Sequence, residues 1–344
     1  MKTHPAIRNC SMDVLRSIAI IGVICAHITT LFKDPFGHGA FGLGAHGVKL
    51  FFVLSGWLLG SQLFQEQLST GKISIVRFWL RRWLRTLPAY YFVLGGVYLW
   101  QIGTRSNPIV DLRYLVFIQN YDFEQLPYFP ASWSLCVEEH FYLAIAPLLQ
   151  VFRTPRTRWI LLVVLAFPTL ARSMGWFGSI AETHVRFDVC GFGVLLAYIR
   201  FVQPAFWVRL ARCAPVYLAI VCAGVAAAMA NRWGGLGIPW VEATEFWIAI
   251  CTLVVLAAAS VNISYGVLDS IAKYIATRAY SLYLLHQFAI VLVIKVIGTD
   301  RPLALFAAIW ILSLVASEFL YRFLEKPVMN LRDRFSITRI ERAP

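Results

Sequence analysis

Long apolar runs recur along the chain, separated by short polar or charged stretches. A membrane-crossing helix needs about 17–25 mostly apolar residues. That criterion predicts ten helices, over residues 13–32, 46–65, 86–103, 134–151, 158–174, 186–203, 214–230, 244–262, 280–298 and 303–324. The segment at 134–151 is the least regular, because Glu138 and Glu139 interrupt it. With the N-terminus in the cytoplasm and strict alternation, the cytoplasmic side collects 22 of the 31 lysines and arginines and the outer side keeps 9. This asymmetry follows the positive-inside rule and favours ten spans. The expected fold is therefore an all-α integral membrane bundle of about ten transmembrane helices, both termini cytoplasmic. One transmembrane domain is expected over 1–330, followed by a basic cytoplasmic tail at 331–344. The first apolar segment follows basic residues, as in a signal peptide. It lacks a convincing small-residue cleavage site and leads into further spans, so it reads as an uncleaved first helix.

Composition agrees. Apolar residues make up 59% of the 344 and charged residues 14%, against about 25% charged in a soluble domain; mean hydropathy is +0.67. The net charge of +13 is first a topology signal in such a chain. No nucleic-acid motif accompanies it, and no nucleic-acid partner is expected. Seven cysteines are scattered without a C-x-x-C pair or a Cys/His cluster. They read as small buried hydrophobes, and no metal is expected.

Against this apolar background the polar interruptions carry the chemistry. Ser11 to Leu31, SMDVLRSIAIIGVICAHITTL, holds Asp13, Arg16 and His27. On a helix the eleven steps from Arg16 to His27 bring the two side chains to within roughly 20° of each other, about 16 Å apart along the axis. Asp13, Ile20 and Val23 share that stripe. An ionisable group within a span is costly and marks a functional site by default; the plainer reading is an arginine snorkelling to the interface and a histidine packed among polar neighbours. Gly42 to Gly47, GLGAHG, matches a dinucleotide fingerprint in letters only, since no strand precedes it. Ser55-Gly56 reads as a small-residue packing point or, alternatively, a close approach to a ligand.

The stretch RFWLRRWLR places Arg77, Arg81 and Arg85 at i, i+4 and i+8, with Arg82 beside them and Trp79 and Trp83 on a second stripe. It is expected as a short cytoplasmic amphipathic helix. Such a helix can rest on lipid headgroups. Four arginines in nine residues favour the other reading, a clamp for the phosphates of a nucleotide-bearing cofactor. The loop 104–133, with Asp111, Asp122, Glu124, Pro127 and Tyr128, either lines a path for an outer-side acceptor or merely joins helices.

In ASWSLCVEEHFYLAIAPLL, Glu138 shares a helix face with Ser134, Phe141, Tyr142 and Ile145. Adjacent Glu139 points about 100° away, so the two cannot face one pocket equally. His140 points away from Glu138 and reads as structural. Arg186 and Asp188 form a candidate intramembrane pair at the start of a helix. His286 lies one turn after Tyr283 in YSLYLLH. Glu325-Lys326-Pro327 reads as an ordinary helix stop.

In order along the chain, MDVLRSIAIIGVICAH, GVKLFFVLSGWLLG, RFWLRRWLRTLPAYY, WSLCVEEHFYL, RFDVCGFGVLLAY, YSLYLLH and EKP resemble the membrane acyltransferase 3 family, from about Ser11 to Pro327. Members of that family O-acylate, mostly O-acetylate, cell-surface sugars and some other acceptors. The resemblance places the family's arginine–ten residues–histidine motif on Arg16 and His27. Its arginine-rich cytoplasmic segment falls on Arg77, Arg81, Arg82 and Arg85, and its tryptophan–serine–leucine–glutamate motif on Trp133, Ser134, Leu135 and Glu138. His140 stands where glutamine is common. The chain ends soon after the last predicted helix, so no appended SGNH-type esterase domain is expected.

The resemblance implies transfer of an acyl group, acetyl foremost, from acyl-CoA to a hydroxyl of a carbohydrate or glycolipid acceptor such as O-antigen. A separate periplasmic acyl-accepting protein is a further partner it allows, and the implied location is a bacterial inner membrane. His27 would be the general base or acyl carrier, Glu138 would orient or balance it, and Arg16 would hold the pantetheine arm or an oxyanion. The cytoplasmic arginines would grip the CoA phosphates. Ser55, Trp133, Ser134, Arg186, Asp188, Tyr283 and His286 are acceptor-side or supporting candidates. The rival class is a secondary transporter or flippase using the same buried charges as a relay. The sequence argues against it, with no inverted repeat and no matched pair of broken helices.

Overall fold

The computed structural model describes residues 9–29, 42–104, 111–122, 129–151, 157–261, 263 and 266–332. Most of the expected tail at 331–344, most of the first outer loop, and Glu124, Pro127 and Tyr128 lie outside the described residues. Among the described residues there is no β-strand. The α-helices are α1 (Cys10–Thr29), α2 (Gly47–Thr70), α3 (Ile75–Thr104), α4 (Trp133–Val151), α5 (Thr157–Ser173), α6 (Phe187–Val202), α7 (Pro204–Arg212), α8 (Ala214–Gly234), α9 (Thr244–Ser260), α10 (Val267–Ile297) and α11 (Pro302–Leu320).

Each predicted apolar segment overlaps one of these helices. Five stretches are long and apolar enough to cross a membrane alone: Cys10–Thr29, Leu43–Thr70, Ala214–Gly234, Val267–Ile297 and Pro302–Arg332. The pair α6 and α7, bent by 114°, makes a sixth if counted as one broken span. The remaining segments fall short for visible reasons. The apolar part of α3 is diluted by Pro88, Gly95, Gly96 and Gln101, and α4 carries Glu138 and Glu139. Helices α5 and α9 have 17 residues each. The described chain is thus a multi-pass helical membrane protein with five or six candidate spans.

Two expectations about helix ends are corrected. The arginine-rich stretch is not a short helix of its own. It is the first part of the 30-residue α3, which continues through Pro88. No glycine or turn former separates Arg85 from the apolar part, so the ladder propagates and gives up locally the bond that proline cannot donate. Nor does Pro327 stop the last helix. Beyond α11 the backbone widens into a π turn, Tyr321–Glu325, where the Lys326 N–H reaches back to the Tyr321 carbonyl. Helix then resumes over 326–332. The proline meets a turn that has already left the i→i−4 pattern.

The described chain divides into two compact units, each discontinuous in sequence. One is Met1–Gln65 with Val189–Ala279; the other is Glu66–Asp188 with Tyr280–Pro344.

In the first unit, α1 is pinned at its start. Asn9 Nδ2 donates to the Ala258 carbonyl (3.3 Å), Ser11 Oγ to Val261 (3.3 Å) and Ser17 Oγ to Ala272 (2.9 Å). The short turn Leu43–His46 lies against the middle of α1, where Gly44 meets the Gly22 backbone and Gly47 meets Ala19 and Val23. This described end of the expected outer loop therefore lies against α1 about 10 Å before the helix's C-terminal end, at the helical rise per residue. Its His46 ring stacks on Trp247 at 4.0 Å and its Leu43 packs on the cluster of Ala228, Val241, Trp247 and Ile250. Helices α2 and α6 touch backbone to backbone. A methyl on Gly56 would run into the Cys190 carbonyl, and one on Gly193 into the Val53 carbonyl and the Trp57 amide. Ser55-Gly56 is thereby a packing point at its glycine. At the α6–α7 bend, Pro204 opens the new helix, the position where its missing N–H is harmless. Arg200 braces the bend, with its guanidinium 5.7 Å over Trp57, 5.3 Å over Trp207 and donating to the Ala259 carbonyl (3.0 Å).

In the second unit the segment 111–122 is tied to α3 and its neighbours. Tyr90 Oη donates to the Tyr114 carbonyl (2.9 Å), and Gln119 Nε2 donates to Tyr90 Oη (3.3 Å) and Ser132 Oγ (3.2 Å). Buried Phe117 takes a positive φ of 59° and packs on the Tyr90 ring at 4.4 Å. This conformation is costly for an aromatic residue and held by its surroundings.

The glycine contacts give a direct test. Gly193→Ala is expected to cost about 1–3 kcal/mol by forcing α2 and α6 apart. Gly96→Ala, in open space on α3, is expected to be neutral or slightly stabilising. Thermal unfolding of both variants in detergent checks this; equal midpoints would refute the close packing.

Candidate active site

Helix α1 is continuous from Cys10 to Thr29, so Arg16 and His27 do lie on one stripe. Asp13 is buried and its carboxylate is 3.9 Å from the Arg16 guanidinium, one turn along. His27 is half-buried in the last turn. These residues and Ser55 belong to the first unit; every other candidate belongs to the second.

In the second unit the four arginines of α3 have separate surroundings. Arg77 donates to Glu66 Oε1 at 2.8 Å, and the same oxygen accepts from the Ser74 amide at 3.0 Å just before α3. Arg81 is exposed and Arg85 half-buried. Arg82 lies 5.4 Å over the Tyr142 ring, a favourable cation–π placement. The tryptophan stripe is a real stack, Trp79 on Trp83 at 5.8 Å. Its indole Trp79 Nε1 donates to the Tyr142 carbonyl (3.0 Å), so this face of α3 docks on α4.

Helix α4 sends its two glutamates different ways, as adjacent positions must. Tyr142 Oη donates to Glu138 Oε2 at 3.0 Å, on the face that the spacing assigns. Glu139 is the more buried of the two, 5% exposed, and accepts from Thr86 Oγ1 at 2.9 Å. Trp133 is half-buried at the start of α4. Ser134 Oγ lies 2.7 Å from Tyr283 Oη, which donates to the Ala131 carbonyl (2.9 Å). The structure thus joins two predicted residues 149 positions apart. Fully buried His286 places Nδ1 2.8 Å from the Tyr283 carbonyl, so Nδ1 carries the hydrogen in that bond. His140 Nδ1 is 2.7 Å from Thr183 Oγ1.

The proposed Arg186–Asp188 pair is corrected. Asp188 is fully buried and takes Arg172 of α5, with Nη2 at 2.7 Å and Nη1 at 3.2 Å. Arg186 donates to the Ile180 carbonyl at 2.6 Å. Their side chains leave in different directions because Arg186 precedes α6, with φ −129° and ψ −5°, whereas Asp188 is inside its first turn.

A family pattern described as "Acyltransferase domain" matches residues 9–322. The chain belongs to the acyltransferase 3 family. Both units lie largely inside the match, so the resemblance seen in seven short motifs extends over most of the described helices. The O-acetyltransferase OatA of Staphylococcus aureus (strain NCTC 8325 / PS 47) is 27% identical to this family member over 360 residues, covering 92% of this chain and 56% of the relative. OatA of Staphylococcus aureus (strain COL) is similar to the same degree over the same shares. The chain therefore spans little more than half the length of these curated relatives. No solved structure matches it.

Sequence reasoning missed Arg172 and Thr86, and left open which of the two adjacent glutamates is buried. Arg172 was hidden at the end of an apolar segment, sixteen residues before its partner, beyond any local spacing rule. The signal for Glu139 was present in the adjacent glutamates, but which of them is buried depends on what packs against α4.

The Asp188–Arg172 pair yields a second test. Asp188→Ala alone is expected to cost about 1–3 kcal/mol by taking the carboxylate away from the part-buried Arg172 guanidinium. The double variant with Arg172→Ala is expected to cost less than the sum of the single changes. A thermal-unfolding double-mutant cycle reads this coupling, and strict additivity would remove the pair from the account.

Proposed function

We propose that this protein is an integral membrane O-acyltransferase that moves an acyl group, acetyl foremost, from acyl-CoA to a hydroxyl of a carbohydrate or glycoconjugate at the cell surface, such as O-antigen. One observation carries the reading. In a chain whose acyltransferase match covers residues 9–322, a single unbroken helix presents Arg16 and His27 on one face, with Asp13 beside the arginine. The likeness of 92% of the chain to proteins named O-acetyltransferases supports the O-acetyl choice. In this proposal the protein has about ten spans with both termini in the cytoplasm of a bacterium, and it resides in the plasma membrane. The 22-to-9 division of basic residues supports that orientation.

The chemistry is acyl substitution. A hydroxyl is a poor nucleophile at neutral pH, and a positioned imidazole accepts its proton as the new C–O bond forms. The thioester C–S bond then breaks, the proton passes to the leaving thiolate, and free CoA and an O-acyl ester result. If the imidazole first carries the acyl group itself, a C–N bond forms as the thioester C–S bond breaks and the leaving thiolate is protonated; the hydroxyl then attacks, its C–O bond forming as the C–N bond breaks and its proton is released. His27 is the group assigned to this work. Arg16 is assigned to the developing oxyanion or the phosphopantetheine arm, as a fixed cation suits either. Arg81, Arg82 and Arg85 are assigned to the CoA phosphates; Arg77 joins them by exchanging its Glu66 partner. Glu138, held by Tyr142, retains the orienting or charge-balancing role that the resemblance implies. The acyl group goes to the acceptor directly or through a separate carrier protein outside.

The experiment is transfer of radiolabelled acetyl from acetyl-CoA to envelope glycans and lipids in membranes, wild type against His27→Ala. The variant is expected to lose activity by about 10²–10⁴ at unchanged protein level. Transfer at the wild-type rate would remove His27 from the chemistry.

A further inference from the structure

Glu325 has no role in the reaction as proposed, and on sequence grounds it only precedes a helix stop. Its surroundings are not those of a helix end. It closes the π turn Tyr321–Glu325 and is 5% exposed, while its neighbours Phe323 and Lys326 face outward. Single π turns in long helices recur at functional sites. Here the extra width turns the Glu325 carboxylate inward, where it accepts a hydrogen bond from Ser281 Oγ of α10, itself fully buried.

From Ser281 the polar contacts continue in one direction. The adjacent Tyr280 donates its hydroxyl to the Thr86 carbonyl of α3 at 2.8 Å. The Thr86 hydroxyl donates to Glu139 at 2.9 Å. One turn before Thr86 is Arg82, over the Tyr142 ring, and immediately before it is Arg85. The π turn also packs directly on α3. The contacts Glu325–Ser281, Tyr280–Thr86 and Tyr283–Ala131/Ser134 together fix the middle of α10 against the last helix, α3 and α4. A buried carboxylate is an expensive way to fasten helices if packing is all that is needed. What this one fastens is the turn of α3 that carries the arginines.

We infer that Glu325 is a positioning residue for the acyl-donor site: through Ser281, Tyr280 and Thr86 it holds the Arg82–Arg85 turn of α3 in the orientation that binds the donor's phosphates. The inference rests on the assignment of those arginines to acyl-CoA. It requires no contact between Glu325 and the donor. Removing the carboxylate loosens the turn, so donor binding weakens while the chemical step, carried by other groups, is preserved.

The test uses the full chain in lipid nanodiscs, with CoA binding measured directly and acetyl transfer measured against donor concentration. Glu325→Leu is expected to raise the CoA dissociation constant and the donor KM roughly tenfold, the scale of one lost buried hydrogen bond, with kcat within about threefold of wild type. Glu325→Gln keeps an acceptor for Ser281 and is expected to recover most of the affinity, which a purely volumetric effect would not predict. If Glu325→Leu does not fold, Ser281→Ala removes the same bond from the other side and is expected to show the same KM effect. A folded variant with wild-type CoA affinity, or one that loses kcat at unchanged KM, overturns the inference and leaves the donor assignment standing. Wild-type protein that binds no CoA overturns the donor assignment and this inference together.

Discussion

A charged or strongly polar side chain inside an apolar helical protein must find a partner, because desolvation without one costs more than a helix contact returns. In the second unit this constraint selects which helices are neighbours. Asp188 is fully buried and brings in Arg172 of α5; Glu139 brings in Thr86 of α3; Glu325 brings in Ser281 of α10. Each bond spans many residues of sequence, and each ties a different pair of elements. Van der Waals packing between apolar helices is permissive about rotation and register. A carboxylate facing one specific hydroxyl or guanidinium is not, so these few contacts set the rotation of the helices that carry them.

The first unit follows another rule. Its helices approach by removing side chains: Gly56 and Gly193 let α2 and α6 meet at the backbone, and Gly44 and Gly22 let the short turn before α2 settle on α1. Small residues serve helix association where apolar solvent supplies no hydrophobic drive. The consequence for function is local. Close packing along one flank of α1, with hydrogen bonds from Asn9, Ser11 and Ser17 at its start, fixes the helix whose face presents Arg16 and His27. In the proposed reaction, a base that must meet a hydroxyl at hydrogen-bond distance needs such a rigid carrier.

The arginines of α3 show how far a helical wheel can be trusted. The spacing of Arg77, Arg81 and Arg85 defines a stripe, yet the stripe is not one environment. Arg77 is engaged by Glu66, Arg81 is exposed, and Arg82, off the stripe, is the one set over the Tyr142 ring. Identical guanidinium groups acquire different availability from what their neighbours present.

Much of the architecture was legible in the letters. The helical segments followed from apolar run length, the shared face of Arg16 and His27 from an eleven-residue interval, the divergence of Glu138 and Glu139 from adjacency, and the family from seven short motifs in order. All of these are local or one-dimensional properties that the helix period converts directly into geometry. The identity of long-range partners was not legible. Arg172 rather than Arg186 takes Asp188, Glu139 rather than Glu138 is the buried acid, Pro327 follows a π turn rather than ending a helix, and Glu325 meets Ser281. Sequence alone determined which residues are polar and which way each points from its own helix axis. Only the tertiary structure decided what stands opposite, because partner choice depends on how whole helices are rotated and stacked, and local spacing carries no record of that.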